Sequence, residues 1–274
     1  TATFMELTGQ AKATSNNTGL SRLNINYDTE TDDGVALTRG SWKMFVDGEY
    51  IYAKEVYIRP ILRTFEWSVW DMEQGTFSCK SVQKPTLSGE FPDTQAGNKC
   101  GRLPKKEEEI LSDDDPLKLK SRSATCNQVI YGQVSGDFVK ANGDPAKMDN
   151  HPFVAYFKRS GFKPIREFID GLTRQKKIMQ KVVIKLATGR VKSGSVVYYI
   201  PVPSLHKEVE VLDTDKTLMK DFSETVKAHN ENVLNQFREA QKTTCKKLLG
   251  GKSRSPLVLL KTLQMSAKSQ LISN

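Results

Sequence analysis

The stretch SWKMFVDGEYIYAKEVYIRPILRTFEWSVWD, Ser41 to Asp71, alternates apolar and polar residues at the period of a β-strand and carries every tryptophan of the chain. Within it, WKMFV and EYIYAKEVYIRPIL flank Asp47-Gly48. That dipeptide predicts a tight hairpin turn, whose two central positions need positive φ. Val56 and Ile58 are then expected to share a face with Tyr50 and Tyr52, leaving Ile51, Tyr57 and Arg59 opposite. Pro60 cannot donate to a ladder, so a bend is expected there. Beyond it Arg63, Phe65, Trp67 and Val69 alternate with Thr64, Glu66, Ser68 and Trp70.

Other segments extend the β-rich pattern. Residues 1–40, rich in Thr, Ser, Asn, Asp and Gly, read as a polar arm with one edge strand in LSRLNINYD. Glu73-Gln74-Gly75 turns the chain into TFSCKSV, and residues 84–124 form a long interruption holding one short helix ended by Pro116. CNQVIYGQVS and FVAYFKRSGF read as strands, followed by a helix that Pro164 starts and that runs to Gln180 on Ile165, Phe168, Ile169 and Leu172. KVVIKLA and SVVYYIPV form two strands joined by a basic hairpin tip, TGRVKSGS, and SLHKEVEV extends the second. From Asp213, Leu218, Phe222, Val226, Val233, Phe237 and Ala240 mark one face of a long helix ended by Gly250-Gly251.

Charge directs attention to polyanions. Lys and Arg number 41 against 32 Asp and Glu, a net charge of +9, which favours nucleic-acid partners. The balance is uneven: residues 103–116 are acidic, whereas residues 246–274 carry six basic residues and no acid. No apolar run is long enough to span a bilayer and no basic-apolar-small leader pattern opens the sequence, so the expectation is a soluble protein of the cytoplasm without membrane contact.

Catalytic signatures are absent from the sequence: there is no phosphate loop, dinucleotide fingerprint, nucleophile elbow or HExxH. His151, His206 and His229 read as surface residues. Asp113, Asp114 and Asp115 are contiguous and point different ways, which suits a solvated loop better than a two-metal site. Cys79, Cys100, Cys126 and Cys245 form no CxxC pair. A composite site of Cys79, Cys100, Cys126 and His151 is the one metal arrangement spacing leaves open, and the expectation is no metal, no cofactor and no enzyme.

Aromatic rings interleaved with isolated cations on β-type sequence are what a single-strand binder uses, since bases stack on rings while cations follow phosphates. The expected contacts are Tyr50, Tyr52, Tyr57, Trp67 and Trp70 for bases, with Lys54, Arg59, Arg63, Lys158, Arg159, Arg190 and Lys192 for phosphates.

Taken in order, GEYIYAKEVYIRPILRTFEWSVWD, DTQAGNKCGRLPKK, CNQVIYGQVSG and FVAYFKRSGFKPIREFIDGL leading into VVIKL and VVYYIPV resemble phage-encoded single-stranded DNA-binding proteins of the OB-fold type, over Ser41 to Val202. The resemblance implies single-stranded DNA binding during phage DNA replication or recombination in an infected bacterial cell. Replication or recombination proteins and a second copy of the chain would be further partners. Such proteins often end in an acidic tail, and this sequence ends in a basic one.

The expected architecture is mainly β with α additions: an expanded OB-type antiparallel barrel with Gly or Pro at its bends and a long C-terminal helix. Its divisions are a polar N-terminal arm (1–40), an OB-like nucleic-acid-binding domain (41–212), the C-terminal helix (213–249) and a basic tail (250–274). The competing expectation is a viral structural or assembly protein whose β-rich domain exchanges terminal arms.

Overall fold

The computed structural model describes residues 19–250, with side chains as far as Thr243. Residues 1–18 of the expected arm and the basic tail past Gly250 lie outside the described residues. The strands are β1 (Ser21–Arg22), β2 (Asn24–Ile25), β3 (Trp42–Val46), β4 (Glu49–Ala53), β5 (Val56–Asp71), β6 (Thr76–Lys80), β7 (Thr125–Lys140), β8 (Pro145–Lys158), β9 (Val182–Ser193) and β10 (Val196–Glu208). The α-helices are α1 (Lys105–Ile110), α2 (Pro116–Ser123), α3 (Phe162–Arg174) and α4 (Asp213–Gly250).

All ten strands join one sheet, antiparallel except where β1 runs parallel to β8. Strand β5 is its axis, pairing β7 from Tyr57 to Ser68, β9 at Val56–Ile58 and β6 at Ser68–Asp71. The far edge of β7 carries β8, and its end meets β4 at Tyr52↔Val139. Among the described residues strand β10 pairs β9 alone, so the sheet keeps an open edge and is not closed into a barrel.

The Asp47-Gly48 turn forms as the sequence predicts, with φ of 51° and 90° and Val46 opposite Glu49. The expected face assignment beyond it fails. Ile51, Ala53, Val56 and Ile58 all enter the main core, because the chain bends at Lys54-Glu55 and shifts the alternation by one residue. Pro60, where a bend was expected, sits inside one continuous strand. The second edge of β5 has no strand beside it there, β9 leaving after Ile58 and β6 joining only at Ser68. A bulge between Pro60 and Leu62 takes up the irregularity. Opposite lies Gly132, where a Cβ would come 2.2 Å from the Arg59 carbonyl oxygen.

Four apolar clusters sit on the sheet among the described residues. The main one gathers Trp42, Met44, Ile58, Phe138 and Phe153 with Ile165, Ile169 and Leu172 of α3. Helix α4 builds two more: Phe222 packs on Ile61, Val129, Tyr131 and Val154, and Val233 on Phe65, Val82 and Phe91, while Val69, Cys79, Cys100 and Ala124 form the fourth. The polar residues of β5 are buried beneath α4. Gln83 accepts from Thr64 Oγ1 (2.9 Å) and Tyr131 OH (3.0 Å) and donates to Glu66 (2.9 Å), while Asn127 donates to Glu66 and Ser68. His229 of α4, read from sequence as a surface residue, bonds the Ser81 carbonyl in this interface.

Three boundaries differ from expectation. Pro116 begins a second short helix, capped by the Asp115 side chain, instead of ending the first. Helix α3 stops at Arg174, well before Gln180. Arg190 and Lys192, expected on a loop, lie within β9, and the turn is Gly194-Ser195.

Candidate nucleic-acid interface

The site begins with three cations. Arg22 comes from β1, Lys158 ends β8, and Arg159 opens the short 3-10 turn that follows with a left-handed φ of 49°. The Arg22 guanidinium lies 4.6 Å from the Tyr156 ring centroid. No carboxylate pairs with any of the three among the described residues. Burial, then Arg22 and Arg159, hold the Lys158 ammonium below the ordinary lysine pKa. Like charges crowded beside a partly desolvated lysine are raised in energy until an anion arrives.

Beside them runs a groove of about 160 Å³ lined by Asn24, Tyr27, Tyr156, Lys158 and Tyr199. Tyr27 and Tyr199 meet edge to face at 6.0 Å, and Tyr27 donates its hydroxyl hydrogen to the Tyr199 carbonyl. Tyr199 is seated against Gly40, where a Cβ would come within 2.4 Å of the ring. Across the β9–β10 ladder Tyr199 is paired with Arg190, and Val197 with Lys192, so both cations lie on the face of the ladder that carries Tyr199.

The other rim of the groove leads to an aromatic platform. Asn24 is the register partner of Lys43, whose ammonium lies 5.1 Å from the Tyr50 ring centroid and pairs with Asp28. Tyr50 and Phe45 pack edge to face at 5.0 Å and remain 50% and 49% exposed, enough to leave ring surface for a stacking base.

Of the residues singled out from sequence, Lys158 lines the groove with Arg159 beside it, Arg190 is the cross-strand partner of the groove's Tyr199 with Lys192 two residues further along β9, and Tyr50 lies on the platform. Lys54 is exposed just past β4. The others are placed differently. Tyr52 is buried, and Tyr57 packs on the His206 ring and donates to Glu55. Arg59 is held by Asp215 at 2.7 Å and by the Glu210 and Gln180 carbonyls, and Arg63 by Asp170 at 3.0 Å. Trp67 packs against two core clusters under the Arg102 guanidinium. Trp70, 45% exposed, lies on Phe77 at the opposite end of β5. Sequence reasoning missed Arg22, Tyr27 and Phe45. The first two lie in the alternating piece LSRLNINYD, which was legible as a strand but not as a neighbour of β8.

A second cleft, about 320 Å³, is lined by Tyr57, Arg59, Asp149, His206 and Lys207. Its mixed charge and engaged arginine suit a polyanion less well. Folding also joins three residues that spacing kept apart: single ligand atoms of Cys79, Asp93 and Cys100 lie within 4.8 Å of one another. His151, grouped with the cysteines from sequence, instead bonds Ser21, and Cys126 stands outside the cluster.

Comparison with family models, with curated proteins and with solved structures finds no match. The functional reading therefore rests on this geometry and on the sequence. No described helix is long and apolar enough to cross a membrane.

Proposed function

We propose that the chain binds single-stranded DNA without catalysing a reaction on it, in phage replication or recombination. The observation that carries the proposal is the unpaired trio Arg22, Lys158 and Arg159 beside a tyrosine-lined groove, continued by Arg190 and Lys192 and opening toward the Tyr50–Phe45 platform. Such an arrangement suits a flexible polyanion with stackable bases, because charge follows the backbone while rings accept any base. An OB-type architecture is the accompanying reading of the β-domain. It is supported by the short segment Ser21–Ile25, which leads from β8 to β3, and by α3 packed against the core.

The test is fluorescence anisotropy of labelled oligo(dT) at two salt concentrations. Tryptophan emission is a poor probe, since Trp42 is buried, Trp67 is packed and Trp70 is far along β5. Binding that weakens steeply with salt is expected, and no binding at low salt removes the proposal.

One observation favours the assembly reading: β10 presents an edge that is unpaired among the described residues, with exposed Val196, Val202 and Leu205, the kind of edge to which another strand adds. Sedimentation without DNA separates the two. Large species in its absence support assembly, and a monomer or dimer supports the DNA-binding reading.

A further inference from the structure

The loop between β6 and α1 converges on Cys79 with features that its length in sequence hides. Cys79 closes toward the core at the end of β6, and Cys100 reaches it from the 3-10 turn Lys99–Gly101. Asp93 arrives from the segment that bridges to Ser81. All three are buried, Asp93 and Ser81 completely. The Asp93 carboxylate is used asymmetrically. Its Oδ1 accepts the backbone N–H groups of Gln95 (2.9 Å) and Gly97 (3.0 Å), whereas Oδ2 is buried without any hydrogen-bond partner among the described residues. Gly97 is tight against it, since a Cβ there would lie 3.2 Å from Oδ2.

A buried carboxylate oxygen with no donor is a costly feature in a folded protein. No lysine or arginine pairs with Asp93 among the described residues. What surrounds it is two thiols, groups that cannot neutralise a carboxylate but can share a cation with it. We propose that Cys79, Asp93 and Cys100 form a zinc site that fastens this loop to the end of β6. Two thiolates and a carboxylate are a donor set that selects zinc over hard cations such as magnesium.

Tetrahedral zinc with Zn–S bonds of about 2.3 Å sets ligand atoms roughly 3.7 Å apart. The three donors, within 4.8 Å of one another, need only a small contraction to meet it. The two N–H bonds on Oδ1 orient the carboxylate so that Oδ2 faces the metal, the role outer hydrogen bonds play at zinc sites. Binding releases the two thiol protons to solvent, leaving thiolates on the ion, and no fourth protein ligand joins the three among the described residues. The metal supplies a reason for the left-handed backbone at Lys99 and Cys100, with φ of 53° and 54°, which aims the second thiol inward.

The test uses the full chain, purified under reducing conditions and analysed for metal. The expected result is about one zinc per chain, as for a structural zinc site. After removal of zinc, titration with Co²⁺ should give thiolate-to-cobalt charge-transfer absorption and the intense visible bands of a tetrahedral site. Cys79→Ser and Cys100→Ser should abolish the charge-transfer band. Asp93→Asn, nearly isosteric and therefore tolerant of folding, should weaken cobalt binding at least tenfold, and Asp93→Cys should retain the metal with a stronger charge-transfer band. Cys126→Ser should leave the spectrum unchanged. The proposal is overturned by absence of both zinc and cobalt bands, by bands that survive Cys79→Ser, or by their loss in Cys126→Ser. A Cys79–Cys100 disulfide found by mass in unreduced protein that persists against the reductant also overturns it.

Discussion

Arg22, Lys158 and Arg159 on one side of the sheet, and Arg59 and Arg63 under its helices, are the same kinds of side chain set among the same kinds of ring, with opposite fates. The first group meets no acid among the described residues and lies along a groove. The second is consumed: Asp215 at the start of α4 takes Arg59, and Asp170 of α3 takes Arg63. A basic residue on an aromatic strand is therefore left without an acid or made a fastening for a helix according to whether a distant element brings it a carboxylate. For Arg59 and Arg63 that element is a helix.

The comparison breaks most visibly in stability. The Arg59 and Asp215 side chains are only 13% and 5% exposed, so Arg59→Ala removes the countercharge of a buried carboxylate, leaving it the Leu212 N–H, and should cost about 3–5 kcal/mol. Urea denaturation measures it, and a loss under 1 kcal/mol would mean that the pair does not fasten α4. The refolded variant should bind oligo(dT) as the parent does. Weaker binding at equal folded fraction would return Arg59 to the interface.

The groove cations should show the reverse pattern. Replacing Arg22, Lys158 and Arg159 together by alanine should leave the urea midpoint unchanged or raise it, since their mutual repulsion is removed. Binding should fall at least tenfold at low salt, and the log–log salt slope should shrink by about 2, at about 0.7 per phosphate contact on a single strand. An unchanged slope would place the phosphates elsewhere. Next in size, Tyr50→Ala should cost about 1–3 kcal/mol of binding with little effect on folding, whereas Trp70→Ala should cost none. Equal losses from both would extend the interface along the whole of β5.

Why the two groups could not be separated in the sequence follows from the residues themselves. Alternation and Asp47-Gly48 are local signals, and they gave the β3–β4 hairpin, the long strands and the amphipathic α4. The fate of Arg59 depends on Asp215, 156 positions away, and that of Arg63 on Asp170, 107 away. Arg22 joins Lys158 through a two-residue parallel pairing of β1 with β8, too short for any periodicity to announce. Pro60 misled for a related reason: whether its missing N–H matters depends on whether a strand lies beside it, and β9 has already left. The Cys79–Asp93–Cys100 cluster is likewise assembled by loop geometry, which cysteine spacing does not encode.

The smallest effect is also the most specific to the groove. In the free chain Lys158 titrates below its ordinary value of 10.5, because burial and the neighbouring Arg22 and Arg159 penalise its charged form. A phosphate bound among the three favours that form and raises its pKa again. The bound state then holds more protons than the free state at pH values between the two pKa values. Affinity is full below the free-state pKa and declines as pH rises through it, by a few-fold, levelling off above the bound-state pKa. Anisotropy titrations across the alkaline range should show this decline. Calorimetry in buffers of different ionisation enthalpy should show fractional proton uptake on binding within the same window. Lys158→Arg, which keeps the charge and does not titrate there, should flatten the profile and abolish the uptake. A decline that persists in Lys158→Arg would assign the titration to another group and detach Lys158 from the bound phosphate.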